Sequence, residues 1–239
     1  MKYIYGPVKS RRLGLSLGLS LTPHKTCNLN CLYCQLGETK ELVSSRKEYV
    51  SIEDILNELR SWIQENPDEA KRLKFITISG SGEPTLNIKI GELISGIRKI
   101  SISSVAVITN ATLLGDSKVR QALCGADLLI PSLDAVSPEI FKKINRPHEG
   151  INLEDIIRGL IALRKEFQGK IWLEVMLVKG VNDSLQEIKR LKEIAEKINP
   201  DKIQLNSPVR TTAEKGVFPV NKDKLEKIKE ILGENCEIV

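Results

Sequence analysis

Leu13-Gly14-Leu15-Ser16-Leu17-Gly18-Leu19-Ser20-Leu21 sets a leucine at every second position, and after Pro23 the chain enters Cys27-Asn28-Leu29-Asn30-Cys31-Leu32-Tyr33-Cys34. Alternation with a period of two marks a β-strand, so three cysteines occupy the loop at a strand's carboxyl end. Strand and helix patterns then take turns. Ser51 with Asp54 predicts a capped helix whose apolar stripe is Ile52, Ile55, Leu56, Leu59, Trp62 and Ile63. Phe75-Ile76-Thr77-Ile78 is the next strand. A helix from about Asn87, a strand at Val105-Ala106-Val107-Ile108, a short helix after Asp116 and a strand at Asp127-Leu128-Leu129-Ile130 follow. Ser137-Pro138-Glu139 reads as a cap with proline in the first turn, and a second helix runs from Asn152 to about Glu166. A strand from Lys170 to Val178, a helix capped by Ser184 and Glu187, a strand from Lys202 to Leu205 and a last helix from Asn221 end the series.

About six strands alternating with helices imply parallel βαβ units, and the short apolar strands read as covered on both faces. Two architectures satisfy this pattern, an open doubly wound sheet and a barrel, complete or partial. In either, the carboxyl ends of the strands form one face where sites are built. Polar groups crowd those ends: Gly80-Ser81-Gly82-Glu83-Pro84, Thr109-Asn110, Ser132 with Asp134, Lys179 to Asp183, and Asn206 to Arg210. Any one of them reads as turn chemistry. Together they point to a site around the cysteine loop.

At 239 residues with no linker, repeat or low-complexity tract, residues 1–239 read as one domain. The 41% hydrophobic and 28% charged fractions are those of an ordinary globular chain, and no apolar run approaches the roughly 18 residues of a membrane span. Met1 to Pro7 lacks the apolar segment of a signal peptide, which predicts a cytoplasmic protein. The net charge of +5 permits an anionic substrate without requiring one.

Five cysteines, three of them crowded together, do not form a disulfide framework. Thiolates suit zinc and iron–sulfur clusters. Cys27, Cys31 and Cys34 stand at C-x3-C-x2-C spacing, and on a cubane cluster three cysteines leave one iron open, as a catalytic metal requires. The competing reading is a structural zinc completed by His24. Structural zinc usually divides its ligands between two knuckles, whereas these four candidates share one loop. Cys124 and Cys236 stand alone and read as packing residues.

The three-cysteine loop with Tyr33 before its last member, placed after a first strand, resembles the signature of the radical SAM superfamily. Gly80 to Pro84 is similar to that family's glycine-glycine-glutamate motif, with Ser81 in place of a glycine. Thr109-Asn110 and Ser132-Leu133-Asp134 match its later strand-end motifs. Tyr5 to Gly14, together with Asn145-Arg146-Pro147-His148, resembles a small branch of iron–sulfur oxidoreductases grouped with the tRNA wyosine synthetases. The resemblance implies a partial (β/α)6 TIM-like barrel of the radical SAM type, a [4Fe-4S] cluster on Cys27, Cys31 and Cys34, and S-adenosylmethionine (SAM) across the strand ends. It further implies that the backbone of Gly80, Ser81 and Gly82 receives the amino group of SAM and that Glu83 contacts SAM or fixes that loop. Thr109, Asn110, Ser132 and Asp134 become candidates for its carboxylate and ribose, and Tyr33 and Val178 for its adenine. The implied reaction is reductive cleavage of SAM to a 5′-deoxyadenosyl radical that abstracts hydrogen from a substrate. Its electrons come from an external donor such as a flavodoxin or ferredoxin.

Three readings follow from this: an enzyme acting on a nucleotide or tRNA base, an activase of a partner protein, and a non-catalytic zinc or iron–sulfur module. The first suggests that Lys9, Arg11, Arg12, Arg146 and Arg210 meet a phosphate, since arginine's planar fork matches it. The bland alternative is that these residues pair with carboxylates or face water.

Overall fold

The computed structural model describes residues 1–239. One sheet holds eight strands in sequence order. β1 (Ile4–Ser10) runs antiparallel to β2 (Gly14–Ser20), and every later neighbour is parallel: β3 (Phe75–Ser79), β4 (Ser104–Thr109), β5 (Leu128–Pro131), β6 (Lys170–Met176), β7 (Lys202–Asn206) and β8 (Cys236–Ile238). The sheet is curled, because Arg12, ahead of β2, reaches Glu174 of β6 at 2.6 Å past three intervening strands. β1 and β8 do not pair. The result is a partial (β/α)6 barrel open along one side, with β1 and β8 at its two edges. Both edge strands escape the sequence pattern: β1 carries Gly6 and Pro7 and exposes most of its residues, and β8 has three residues.

Eight α-helices cover the outer face: α1 (Ile52–Glu65), α2 (Pro67–Arg72), α3 (Ile90–Ile100), α4 (Ser117–Leu123), α5 (Pro138–Asn145), α6 (Leu153–Glu166), α7 (Leu185–Ile198) and α8 (Lys222–Leu232). The caps of α1 and α7 form as expected, Ser51 accepting from the Asp54 amide and Ser184 from that of Glu187. Ser137 does not cap α5. Its hydroxyl donates to Glu187 of α7 and accepts from Arg190, so a tertiary partner displaces the local one. None of these helices is long and apolar enough to cross a membrane.

Two clusters of apolar side chains pack on opposite faces of the sheet. A core of 52 buried residues joins the helices to Leu17, Leu19, Ile76, Ile78, Val105, Val107, Leu129, Leu173 and Val175. Each such side chain contributes about 1.5–3 kcal/mol on full burial. Leu13, Ala106, Leu128 and Ile130, with Phe75, Ile108 and Trp172 beside them, fill the concave side, where no helix reaches. Cys236 is buried in the main core as expected. Cys124, expected to pack, is instead exposed at the end of α4.

Candidate active site

The cysteine loop leaves β2 and is sewn by its backbone to the end of β3 and to the C-terminal end of α5. The Lys25 amide donates to Ser81 O at 2.5 Å and that of Glu83 to Thr26 O at 2.9 Å. Beyond the first cysteine, the Asn30 amide reaches Asn145 O at 3.0 Å, Leu32 reaches Ile144 O at 3.0 Å, and His148 donates to Asn28 O at 2.9 Å. Glycine is required where these segments touch. Gly80 has φ of +99°, and a Cβ there would lie 2.3 Å from Ser20 Oγ; at Gly82 it would lie 2.1 Å from Thr26 O.

Two buried carboxylates stand beside the loop, Glu83 in the segment bonded to it and Asp134 on Tyr33 within it. Glu83, 2% exposed, accepts from the Thr85 amide (3.0 Å), the Thr85 hydroxyl (2.6 Å), the Thr109 hydroxyl (2.6 Å) and the Asn110 amide (2.7 Å). It therefore ties the Gly80–Pro84 loop to the end of β4. Burial raises its pKa, and the four donors act against that rise. Asp134, 5% exposed, accepts from the Tyr33 hydroxyl, from Asn145 Nδ2 (2.7 Å) and from the Met176 amide (2.9 Å). Burial carries its pKa up to about 6.

Each cysteine sulfur meets a donor. Lys25 Nζ lies 3.1 Å from Cys34 Sγ, Asn145 Nδ2 lies 3.3 Å from Cys31 Sγ, and the Leu29 amide and Asn110 Nδ2 approach Cys27 Sγ at 3.5 and 3.6 Å. Burial, then Glu83, raises the Cys27 thiol to about 11; burial, then Asp134, pushes the Cys31 thiol higher still. Without a metal these thiols are neutral, and binding one displaces their protons. Donors aimed at all three sulfurs suit anionic thiolates, as a cluster requires. No three Cys, His, Asp or Glu side chains converge to hold a single metal ion, and His24 is exposed. A cubane takes one thiolate on each of its irons, so three sulfurs that hold it need not converge on one point as zinc ligands must.

The other expected site residues fall into two groups. Gly80, Ser81, Gly82, Asn110 and Ser132 are part-exposed on the face of the cysteine loop. Thr109 is buried and committed to Glu83, while Val178 is 1% exposed within the main core, its amide held by Asn182. Tyr33 is half-buried against Asp134. Sequence reading missed Lys25, Asn28, Asn145 and Glu174. Asn28 is fully buried, donating to Thr112 Oγ1 (2.7 Å) and accepting from Asn110 Nδ2 (2.8 Å). Glu174, on the concave side, joins Arg12 to Asn206 (3.3 Å) and Ser132 (3.4 Å); a lone acid inside an apolar parallel strand is the signal that marks it.

A family model described as the radical SAM superfamily matches residues 21–196. The chain is 41% identical over 237 residues to a protein of Brachyspira hyodysenteriae named GTPase Obg, covering 99% of this chain and 34% of that one. It is 34% identical over 239 residues to the UPF0026 protein MJ1312 of Methanocaldococcus jannaschii, covering 98% and 74%. The chain thus spans about a third of the first relative and three quarters of the second. A structure of TYW1 with a lysine-pyruvate adduct bound superposes with a TM-score of 0.69 at 22% identity, covering 92% of this chain and 74% of that one. At that identity the likeness speaks for the fold.

Proposed function

This chain belongs to the radical SAM superfamily, an enzyme family that uses a [4Fe-4S] cluster and SAM, and on that premise we propose that Cys27, Cys31 and Cys34 hold the cluster. When bound, these cofactors supply the reductive cleavage of SAM to a 5′-deoxyadenosyl radical that takes hydrogen from a substrate. The observation that carries the assignment is the set of donors on all three sulfurs, drawn from Lys25 of the loop itself and from Asn110 and Asn145 outside it.

The residues divide by reach. Gly80, Ser81 and Gly82 present part-exposed backbone for the amino group of SAM, and Asn110 and Ser132 present polar side chains for its carboxylate and ribose. Glu83, Thr109 and Asp134 act as positioning residues, since each is buried and bonded to other parts of the protein. Tyr33 sets its hydroxyl on Asp134 and, being part-exposed, leaves some of its ring to offer adenine, whereas Val178 belongs to packing. Residues 1–239 serve as one radical SAM domain. Electrons arrive from an external donor such as a flavodoxin or ferredoxin, and the substrate is a nucleotide or a tRNA base.

Anaerobic reconstitution tests this. Wild-type protein should take up about four irons with matching sulfide, and with dithionite and SAM it should form 5′-deoxyadenosine. Cys31→Ala should lose both properties, while Cys124→Ala and Cys236→Ala keep them. Zinc in place of iron, or a Cys31→Ala variant with its chromophore intact, would defeat the assignment.

A further inference from the structure

The open side of the barrel carries a cleft of about 270 Å³ between β1 and the end of β7. Lys9, Arg11, Arg12 and Arg210 line it, with Gln35, Asn206 and Ser207 among the neutral groups; its lining includes no Asp or Glu side chain, and Val239 with its α-carboxylate borders it without forming an ion pair. These cations have few partners. Outside the cleft Arg60, Arg98, Arg120, Arg146, Arg158 and Arg164 each pair with a carboxylate, while Arg46 and Arg190 donate to uncharged oxygens and Arg72 has no ion pair. Within the cleft only Arg12 pairs with a carboxylate, that of Glu174 behind it, while Arg210 donates to the neutral Gln35 Oε1 at 3.1 Å and Lys9 and Arg11 form no ion pair. Arg146, expected beside them, is instead paired with Glu214 and takes no part.

Like charges held together without counter-ions raise one another's energy, and an anion placed among them relieves it. A planar guanidinium makes two parallel bonds to a phosphate, and the cleft offers two unpaired arginines and a lysine for that purpose. Its position matters as well. Gln35 follows Cys34 directly, and Arg12 leads through Glu174 to Asn206 and Ser132 on the concave side. A group anchored here extends toward the cysteine loop.

We propose that this cleft binds a phosphate ester of the substrate, with Lys9, Arg11 and Arg210 as its contacts. The inference rests on the radical SAM reading only for what lies beyond the cleft. Both a free nucleotide and an RNA strand supply the phosphate ester, and the test separates them.

Cluster-loaded protein is titrated with adenosine 5′-monophosphate and, separately, with a short single-stranded oligoribonucleotide. Three proteins are compared: wild type, a Lys9→Ala, Arg11→Ala, Arg210→Ala variant, and a charge-matched control with Lys189→Ala, Lys197→Ala and Lys227→Ala on the exposed faces of α7 and α8. Arg12 is left in place because removing it strands Glu174. Wild type and control should bind at least one probe alike, and the cleft variant should bind at least about tenfold more weakly. Three contacts to an RNA strand give a slope of about −2 in a plot of log affinity against log salt, a loss of about fifteenfold between 50 and 200 mM, and the cleft variant should flatten it. Binding of the monophosphate identifies a free nucleotide, and binding of RNA alone identifies a polynucleotide. Wild type that binds neither probe, or a control that loses as much as the cleft variant, overturns the proposal. Iron, sulfide and SAM binding are measured on the same preparations. A protein that carries cluster and SAM but no probe sinks the cleft alone, whereas one that takes up no iron sinks the reading beneath it.

Discussion

Glu83 and Asp134 are two buried carboxylates at two strand ends, both within reach of the same cysteine loop, and they differ in what surrounds them. Glu83 faces backbone amides at each oxygen, Thr85 N on Oε1 and Asn110 N on Oε2. An amide N–H can only donate. Asp134 has one such partner, the Met176 amide on Oδ1; on Oδ2 it meets a tyrosine hydroxyl and the side-chain amide of Asn145. Those two partners are convertible: a hydroxyl can turn to accept, and Asn145 Oδ1 is buried without a hydrogen bond. Glu83 thus occupies a place only an acceptor pair can fill, while Asp134 occupies one open to a donor.

The largest expected effect breaks this comparison most directly. Glu83→Gln must turn its NH2 toward either the Thr85 or the Asn110 amide, which leaves a buried donor facing a donor and costs about 1–3 kcal/mol. Glu83→Ala strands both amides and should cost more, about 3–5 kcal/mol. Asp134→Asn should change stability by less than about 1 kcal/mol, because Tyr33 and Asn145 can reverse their roles. Urea unfolding of metal-free protein at pH 7 measures all three. Equal losses in Glu83→Gln and Asp134→Asn would erase the distinction.

The contrast also shows how far the sequence could be read. The alternation of Leu13 to Leu21 and the capped stripe from Ser51 carry their own periodicity, and β2 and α1 follow them closely. The cysteine spacing is local chemistry and needs no tertiary structure to be seen. Glu83 and Asp134 were visible as polar strand ends, but whether each faces a ligand or a neighbour depends on distant residues such as Asn110, 27 positions from Glu83, and Met176 and Tyr33, 42 and 101 positions from Asp134. Asn145 had no local signal for its contact with Cys31, which lies 114 positions back in the chain. β1 was hidden because an edge strand with one solvated side needs no apolar alternation, and β8 because three residues are too few to show a period. The cleft beside β1 shared part of that invisibility: its cations Lys9, Arg11, Arg12 and Arg210 stood out in the sequence, but their meeting at one seam, and the absence of Arg146 from it, depended on the edge strand.

A pH series sharpens the comparison next. The Asp134 pKa rises from 3.8 to about 6 on folding, chiefly through burial. The folded state therefore holds a proton that the unfolded state releases across that interval. Its stabilising effect is complete below about pH 4 and is lost as pH rises through about 6. Measured against Asp134→Asn, metal-free wild type should lose on the order of 2 kcal/mol between those limits. Urea midpoints at pH 4 and pH 7 for both proteins give the difference. A difference that grows with pH, or none, would mean that Asp134 stays ionised in the fold.

The smallest effect concerns what each carboxylate's neighbour does to its cysteine. Asn145 joins Asp134 to Cys31 with an N–H to sulfur contact of 3.3 Å, while on the other side Asn110 approaches Cys27 at 3.6 Å. A hydrogen bond to a thiolate ligand stabilises the more negative, reduced form of a cluster more than the oxidised form, so its loss lowers the midpoint potential. Taking on the order of 1 kcal/mol of differential stabilisation, Asn145→Leu should shift the potential down by about 40 mV for one electron. Asn110→Leu should shift it less, because the contact is longer and the Leu29 amide remains on the same sulfur. An anaerobic redox titration followed by electron paramagnetic resonance reads both shifts without relying on turnover. Equal shifts would show that distance to the sulfur does not rank the two sides. No shift, or an upward one, in Asn145→Leu would mean that the contact to Cys31 does not stabilise the reduced cluster.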